Sequence, residues 1–295
     1  MSTLKPRPTS PRNLNLNLTV YRAFPATPNH VWSPFVNKLE LRLRLDSIPY
    51  SLGVGNPRQA PRGKIPYIIT SSLPPSSSSS LPSSSSSSSP SSPENSILED
   101  TTLITQHLIK SGILTDLNAR LSPAGRAQDL AVRSLLEDKL YFYQTRERWV
   151  DNFHAMREGV LGGGVVEPFA LRVIVGNLAF RGVTKMLWGQ GAGRYTDEEA
   201  AGMKGEVWEG LSALLEESRT RREKKQGGDG PFWVLGRDEP TEADATVYGF
   251  VVAALVCDAA PESRKIVRSY PVLVDYARRI HEAYFSDYGM WDEKS

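Results

Sequence analysis

Ser33 stands directly before Pro34 and opens the run SPFVNKLELRLRLDSIPY, Ser33 to Tyr50. Serine followed by proline is a good helix opening. The hydroxyl accepts from a free N–H of the first turn, and proline suits the first helical position. A helix N-terminus also favours negative charge. The hydroxyl of Ser33 is therefore either a cap alone or the working end of a catalytic site.

Other residues that could do chemistry are sparse. His30, His107, His154 and His281 are too scattered for a metal site, so no metal is expected. Cys257 is the single cysteine, which excludes an intrachain disulfide and fits a reducing compartment. It sits in an apolar run and reads as a small, inert core residue. Gly189 to Gly193 superficially resembles a phosphate loop, but no βαβ context precedes it and no Lys-Ser/Thr follows. Arg219 to Lys225, RTRREKK, closes a helix, where positive charge is favourable anyway. No nucleic-acid partner is expected from it.

Elements must hold these residues in place. LNLNLTVYRAF, Leu14 to Phe24, alternates and reads as a first strand. IPYSLGVG (Ile48 to Gly55) and IPYIIT (Ile65 to Thr70) read as short strands, and Ile97-Leu98 as the end of another. The Ser33 run alternates Leu39, Leu41, Leu43 and Leu45 with charged residues, which is a strand pattern. A segment joining neighbouring parallel strands instead crosses over as a helix. On helical spacing Val36, Leu39, Leu43 and Asp46 share a face, and Leu41 and Leu45 must find a second contact. From Ser122 onward the patterns are helical. Thr196 with Glu199 and Thr241 with Asp244 make capping boxes, the second holding the start of ATVYGFVVAALVC, a buried core helix. Residues 159 to 191 are apolar, glycine-rich and hard to assign.

The chain has 295 residues, 40% apolar, with net charge +2. No strong overall field draws it to nucleic acid or anionic lipid, and no apolar stretch is long enough to span a bilayer. Residues 1–13 form a proline-broken arm, expected to be disordered. Lys5, Arg7 and Arg12 would suit a presequence, but Pro6, Pro8 and Pro11 break any amphipathic helix there. The closing MWDEKS carries no hydrophobic tail anchor. Residues 71–93 are almost only serine and proline and are expected to leave a surface loop as a disordered insertion.

Four motifs in this order resemble the glutathione S-transferase superfamily, and more closely its failed-axon-connections and metaxin-like branch. They are SPFVNKLELRLRLDSIPY, PRGKIPYI, LEDTTLITQHL, and PTEADATVYGF with YPVLVDYARRI; GQGAGRYTDEE adds a stretch similar to that branch. The resemblance implies an α+β protein. A thioredoxin-like domain at 14–112, with a mixed four-stranded sheet and helices, would precede an all-helical domain at 122–290. It settles helix over strand for Pro34 to Asp46 and makes Pro66 a cis-proline.

It also implies a function: binding glutathione, as co-substrate, and activating its thiol for transfer to a small electrophile. Ser33 would donate to the sulfur. Ile65, before Pro66, would offer backbone groups to the cysteine of glutathione. Asp100 and Thr101 would hold the γ-glutamyl end, and Lys64 would reach the glycyl carboxylate. Each of these residues has a plain structural role open to it as well. Tyr21 lies near where other classes keep a catalytic tyrosine. Tyr141, Phe142, Tyr143 and Trp149 are either pocket lining or core. The alternative is a non-catalytic, metaxin-like interaction protein. A cytoplasmic protein is expected, alternatively a mitochondrion-associated one, and homodimers are usual for the transferases.

Overall fold

The computed structural model describes residues 16–72, 96–162, 166–226 and 228–291. The described backbone divides into two compact units. One holds the residues up to Thr27 with Leu43–Thr115, and the other Pro28–Arg42 with Asp116 onward.

The first unit is built on a mixed four-stranded sheet. Its strands are β1 (Leu16–Tyr21), β2 (Ser51–Gly53), β3 (Tyr67–Ser72) and β4 (Ser96–Glu99), in the order β2-β1-β3-β4. β1 and β2 run parallel, with Val20 opposite Leu52, while β3 is antiparallel to both β1 and β4. Alternation in β1 does what period two requires: Leu18 and Val20 are buried, and Thr19 between them is half-buried. Helix α2 (Thr101–Lys110) packs on β3 and β4 and buries Ile104 and Leu108. β3 continues through Ser71 and Ser72, which pair with Asn17 and Leu16. This corrects the expectation that the disordered insertion begins at 71: ladder bonds come from the backbone, and serine does not prevent them. The rest of the insertion, and the arm at 1–13, lie outside the described residues.

The parallel pair β1 and β2 is joined through helix α1 (Pro34–Leu45), so the leucine alternation is helical. Val36, Leu39, Leu41 and Leu43 are all fully buried, and so are Asn37, Glu40 and Arg42, with Lys38 almost so. The pattern looked like a strand because this helix has no solvent face. Its polar residues are paired inside the second unit. Lys38 Nζ meets Glu137 Oε1 at 2.6 Å, and Arg42 Nε meets Glu242 Oε1 at 2.8 Å. Tyr288 donates its hydroxyl to Glu40 Oε2 at 3.1 Å. Buried charges need such partners, because desolvation otherwise costs several kcal/mol, on the order of the stability of a domain.

The second unit is otherwise helical. One long rod runs through α3 (Pro123–Ser134), a π-wound segment Leu135–Leu140, α4 (Tyr141–Arg146) and a second π-wound segment Glu147–Asp151. Then follow α5 (Phe153–Leu161), α6 (Phe169–Gln190), α7 (Asp197–Gln226), α8 (Glu242–Val256), α9 (Pro261–Ser269) and α10 (Pro271–Tyr284). The stretch that resisted assignment contains α6. α8 is the centre: every residue from Ala243 to Leu255 is buried, and α3, α9 and α10 pack around it. Gly249 lets α8 touch α1, since a Cβ there would stand 2.4 Å from the Pro34 carbonyl oxygen. Among the described residues no single helix is long and apolar enough to cross a membrane.

Candidate functional site

The β3–β4 ladder ends at Tyr67 opposite Glu99. The residues one step beyond, Pro66 and Asp100, therefore emerge together at the same end of the sheet. The Ile65–Pro66 peptide is cis, and Ile65 lies just outside the ladder. Asp100 turns the chain from β4 into α2 with φ 69° and ψ 116°, a conformation that non-glycine residues rarely adopt. Such a backbone costs on the order of 1–3 kcal/mol and persists where the surroundings impose it.

The side chain of Asp100 does two jobs. Oδ1 caps α2, accepting from the N–H groups of Thr102 at 3.1 Å and Leu103 at 3.4 Å. Oδ2 accepts from the Lys64 ammonium at 2.7 Å. Burial pushes the Asp100 carboxyl up, but the Lys64 ammonium and the two amide donors outweigh it and hold it below the ordinary carboxylate range. Thr101, beside it, is buried. The first unit thus brings Lys64, Ile65, Pro66, Asp100 and Thr101 to one corner. It also pairs with each other the two residues to which the resemblance gives opposite ends of glutathione.

Ser33 belongs to the second unit. It caps α1: the Val36 N–H donates to its Oγ at 3.4 Å, and the Asn37 N–H to its carbonyl at 3.3 Å. As an acceptor the hydroxyl keeps its own proton to give. Its flank is held firmly. Asn37 exchanges two hydrogen bonds with the backbone of Val31, and Arg148 Nη1 donates to the Trp32 carbonyl at 2.9 Å.

Several other expectations take definite shape. The Tyr21 ring stacks on Tyr67 at 4.6 Å and 6°, and Gly53 and Gly55 press against it, which is a packing role. Tyr67 in turn donates its hydroxyl to Gln59 Oε1 at 2.9 Å. Tyr143 is buried with its hydroxyl on the Met203 sulfur, and Tyr141 packs edge-on against Phe35. Phe142 and Trp149 are half-buried and pack on core clusters. Cys257 is buried, and burial pushes its thiol pKa up, away from reactivity. The glycines at 189–193 straddle the C-terminal end of α6, which presents carbonyls rather than the N–H groups a phosphate needs.

Asp244 is fully buried at the start of α8. It accepts from the N–H groups of Val234 at 2.7 Å and Thr241 at 2.8 Å, from the Thr241 hydroxyl, and from the Tyr276 hydroxyl at 3.0 Å. Burial raises its carboxyl to about 6. This ties one loop and two helices together.

Two arrangements had no sequence signal. His30 and His281, set apart as scattered, meet at 3.0 Å in a buried aromatic shell, though no group of three metal-ligating side chains forms among the described residues. Buried Glu147 accepts from Lys204 Nζ at 2.6 Å and from the N–H and hydroxyl of Ser263. Burial raises that carboxyl, but Lys204 and Ser263 outweigh it and leave it lowered. Long-range pairs of this kind leave no local spacing to read.

A model of the glutathione S-transferase N-terminal domain matches residues 34–154, and one of the glutathione S-transferase C-terminal domain matches residues 230–280. Together they take in more than half of the chain. Among solved structures, the chain is similar to glutathione transferase Omega 2S from Trametes versicolor, at 18% identity over 92% of this chain and 91% of that one, with TM-score 0.44. It is similar to a glutathione S-transferase from Methylobacterium radiotolerans in complex with glutathione sulfonate, at 15% identity over 93% and 96%, TM-score 0.47. It is also similar to maleylacetoacetate isomerase from Anaeromyxobacter dehalogenans with bound GSH in its active site, at 13% identity over 92% and 95%, TM-score 0.41.

Proposed function

The chain belongs to the glutathione S-transferase superfamily, and from that premise we propose that it binds glutathione and activates its thiol for transfer to a small electrophile. The observation that carries the proposal is Asp100. Its Oδ2 already accepts an ammonium, that of Lys64, at 2.7 Å, from the head of a helix. The γ-glutamyl ammonium is the same kind of group and would replace Lys64 there. The γ-glutamyl carboxylate would meet Thr101 and the N-terminus of α2, where the helix favours an anion. The displaced Lys64 would turn to the glycyl carboxylate, and the backbone of Ile65 would pair with the cysteine residue.

Ser33 is proposed to give its hydroxyl proton in a hydrogen bond to the sulfur. A donor there, with the α1 N-terminus behind it, favours thiolate over thiol, and the thiolate is the nucleophile. The thiol proton passes to water, the sulfur forms its bond to the electrophile, and the leaving group departs with its electron pair. Serine cannot form a mixed disulfide, so thiol-transfer chemistry does not belong to this proposal.

One observation favours a second reading, a non-catalytic interaction protein of the failed-axon-connections and metaxin-like branch: Lys64 occupies the carboxylate that the ligand would need. The single cysteine fits a cytoplasmic setting for either reading.

Isothermal titration with glutathione tests both. Binding that Asp100→Ala abolishes supports the first reading. Binding retained in Ser33→Ala, with a raised pKa of the bound thiol, makes Ser33 the thiolate donor. Absence of binding at millimolar glutathione sinks the transferase reading and leaves the second.

A further inference from the structure

Thirteen large apolar side chains are exposed among the described residues, and six of them lie on α6. Of the 22 residues in this helix only Gly176 and Leu187 are buried. Its inner side is held: Phe180 packs on Phe153 at 5.0 Å, and Val183 and Leu187 join the Tyr143 cluster. Its outer side carries large apolar side chains too. Leu171, Ile174, Leu178, Arg181, Lys185 and Trp188 recur at alternating steps of three and four, which puts them on one face. Ile174, Leu178 and Trp188 are 57%, 61% and 60% exposed.

The charges decide what this face meets. α6 contains no acidic residue. Arg172 is engaged with Glu158 and Glu167, while Arg181 and Lys185 are exposed and make no ion pair among the described residues. Arg194 adds a guanidinium over the Trp188 ring. A second copy of the chain is a poor partner. Set parallel, two such faces oppose Arg181 and Lys185 to themselves; set antiparallel, they bury these cations against Leu178 and Ile174. An anionic lipid surface satisfies every part. Leucine and isoleucine enter the acyl boundary, tryptophan sits at the headgroup level, and the long cations reach up to phosphate.

We propose that α6 docks this protein peripherally on anionic membranes, with the Leu171–Trp188 face against the lipid. The helix lies in the interface and does not cross it. The net charge of +2 conceals this property because the rest of the chain supplies the compensating acids elsewhere.

The test is flotation of the full chain with vesicles of phosphatidylcholine alone and of phosphatidylcholine mixed with phosphatidylserine. Wild type should float with the mixed vesicles and be released by added salt. Ile174→Asp/Leu178→Asp should lose flotation, and Arg181→Glu/Lys185→Glu should weaken it by about thirtyfold or more. Unchanged circular dichroism and melting of both variants keep the comparison valid, since the altered side chains are exposed. Absence of flotation by wild type, or flotation untouched by both variants, overturns the proposal. So does a dimer, seen by sedimentation, that Ile174→Asp/Leu178→Asp dissolves, because the face would then belong to a second copy.

Discussion

His30 Nε2 lies 3.0 Å from His281 Nδ1, a hydrogen bond between two buried imidazoles 251 residues apart in the chain. The Tyr248 hydroxyl stands 3.4 Å from the same His30 nitrogen, and the rings of Phe285 and Tyr288 pack on the imidazole with their centres 4.9 and 5.3 Å from its own. The bond ties the segment before α1 to α10. His281→Leu is expected to cost about 1–3 kcal/mol, the price of a buried polar atom losing its partner. In a double-mutant cycle with His30→Phe, each change should cost about 1 kcal/mol less in the presence of the other than it does alone. Additive losses in urea melts would show that the two rings are neighbours without coupling.

Asp100→Asn separates capping from ligand binding. The amide oxygen can still accept from Thr102 and Leu103, and asparagine tolerates the positive φ. Stability should fall by no more than about 1 kcal/mol, since the cap is kept and only the exposed pair with Lys64 is lost. Glutathione affinity should fall about tenfold or more, because a charge-assisted bond to the ammonium is lost. Lys64→Met removes both an exposed pair worth about 0–1 kcal/mol, which competes with the ligand, and the proposed exposed contact to the glycyl carboxylate; the two losses oppose each other, so affinity should move by no more than about fivefold. A much larger gain in titration would mark Lys64 as the block that the interaction-protein reading supposes.

Asp244 gives a pH dependence of defined sign. Its folded carboxyl titrates at about 6, above the ordinary 3.8, because it is buried. The folded state holds that proton more tightly than the unfolded chain does. Its contribution is full below about pH 4 and is lost as the pH rises through about 6. The stability of wild type relative to Asp244→Asn should therefore decline between those values in urea melts. A constant difference would mean that the four donors outweigh burial.

Gly249→Ala sets propensity against packing. In an exposed helix alanine is better than glycine by about 1 kcal/mol. Here the new Cβ would stand 2.4 Å from the Pro34 carbonyl oxygen and 2.9 Å from the Lys38 nitrogen. Both are backbone atoms that no rotamer change can move aside. The variant should lose about 1–3 kcal/mol, and a rise in melting temperature would contradict the close approach of α8 to α1.

Much of the fold was legible. The helix Thr101–Lys110 stands where its apolar spacing puts it, and the Thr196–Glu199 and Thr241–Asp244 pairs make reciprocal contacts at their helix starts. These are local devices, and local sequence carries them. α6 was not legible, because its residues are apolar on both sides and show no single period. The leucine alternation of α1 pointed to a strand for the opposite reason: a helix buried all round has no face for solvent to label.

By itself, the sequence determined most of the elements outside α1 and residues 159 to 191, the caps and turns that bound them, and the four motifs that carry the superfamily resemblance, since each depends on residues a few positions apart. Only the tertiary structure decided what those residues touch. It set Lys64 on Asp100, His30 on His281 and Lys204 on Glu147, and it left the Leu171–Trp188 face outward. Contacts of this kind depend on which surfaces packing brings together, and residues 36 to 251 positions apart leave no periodic trace of one another in the chain.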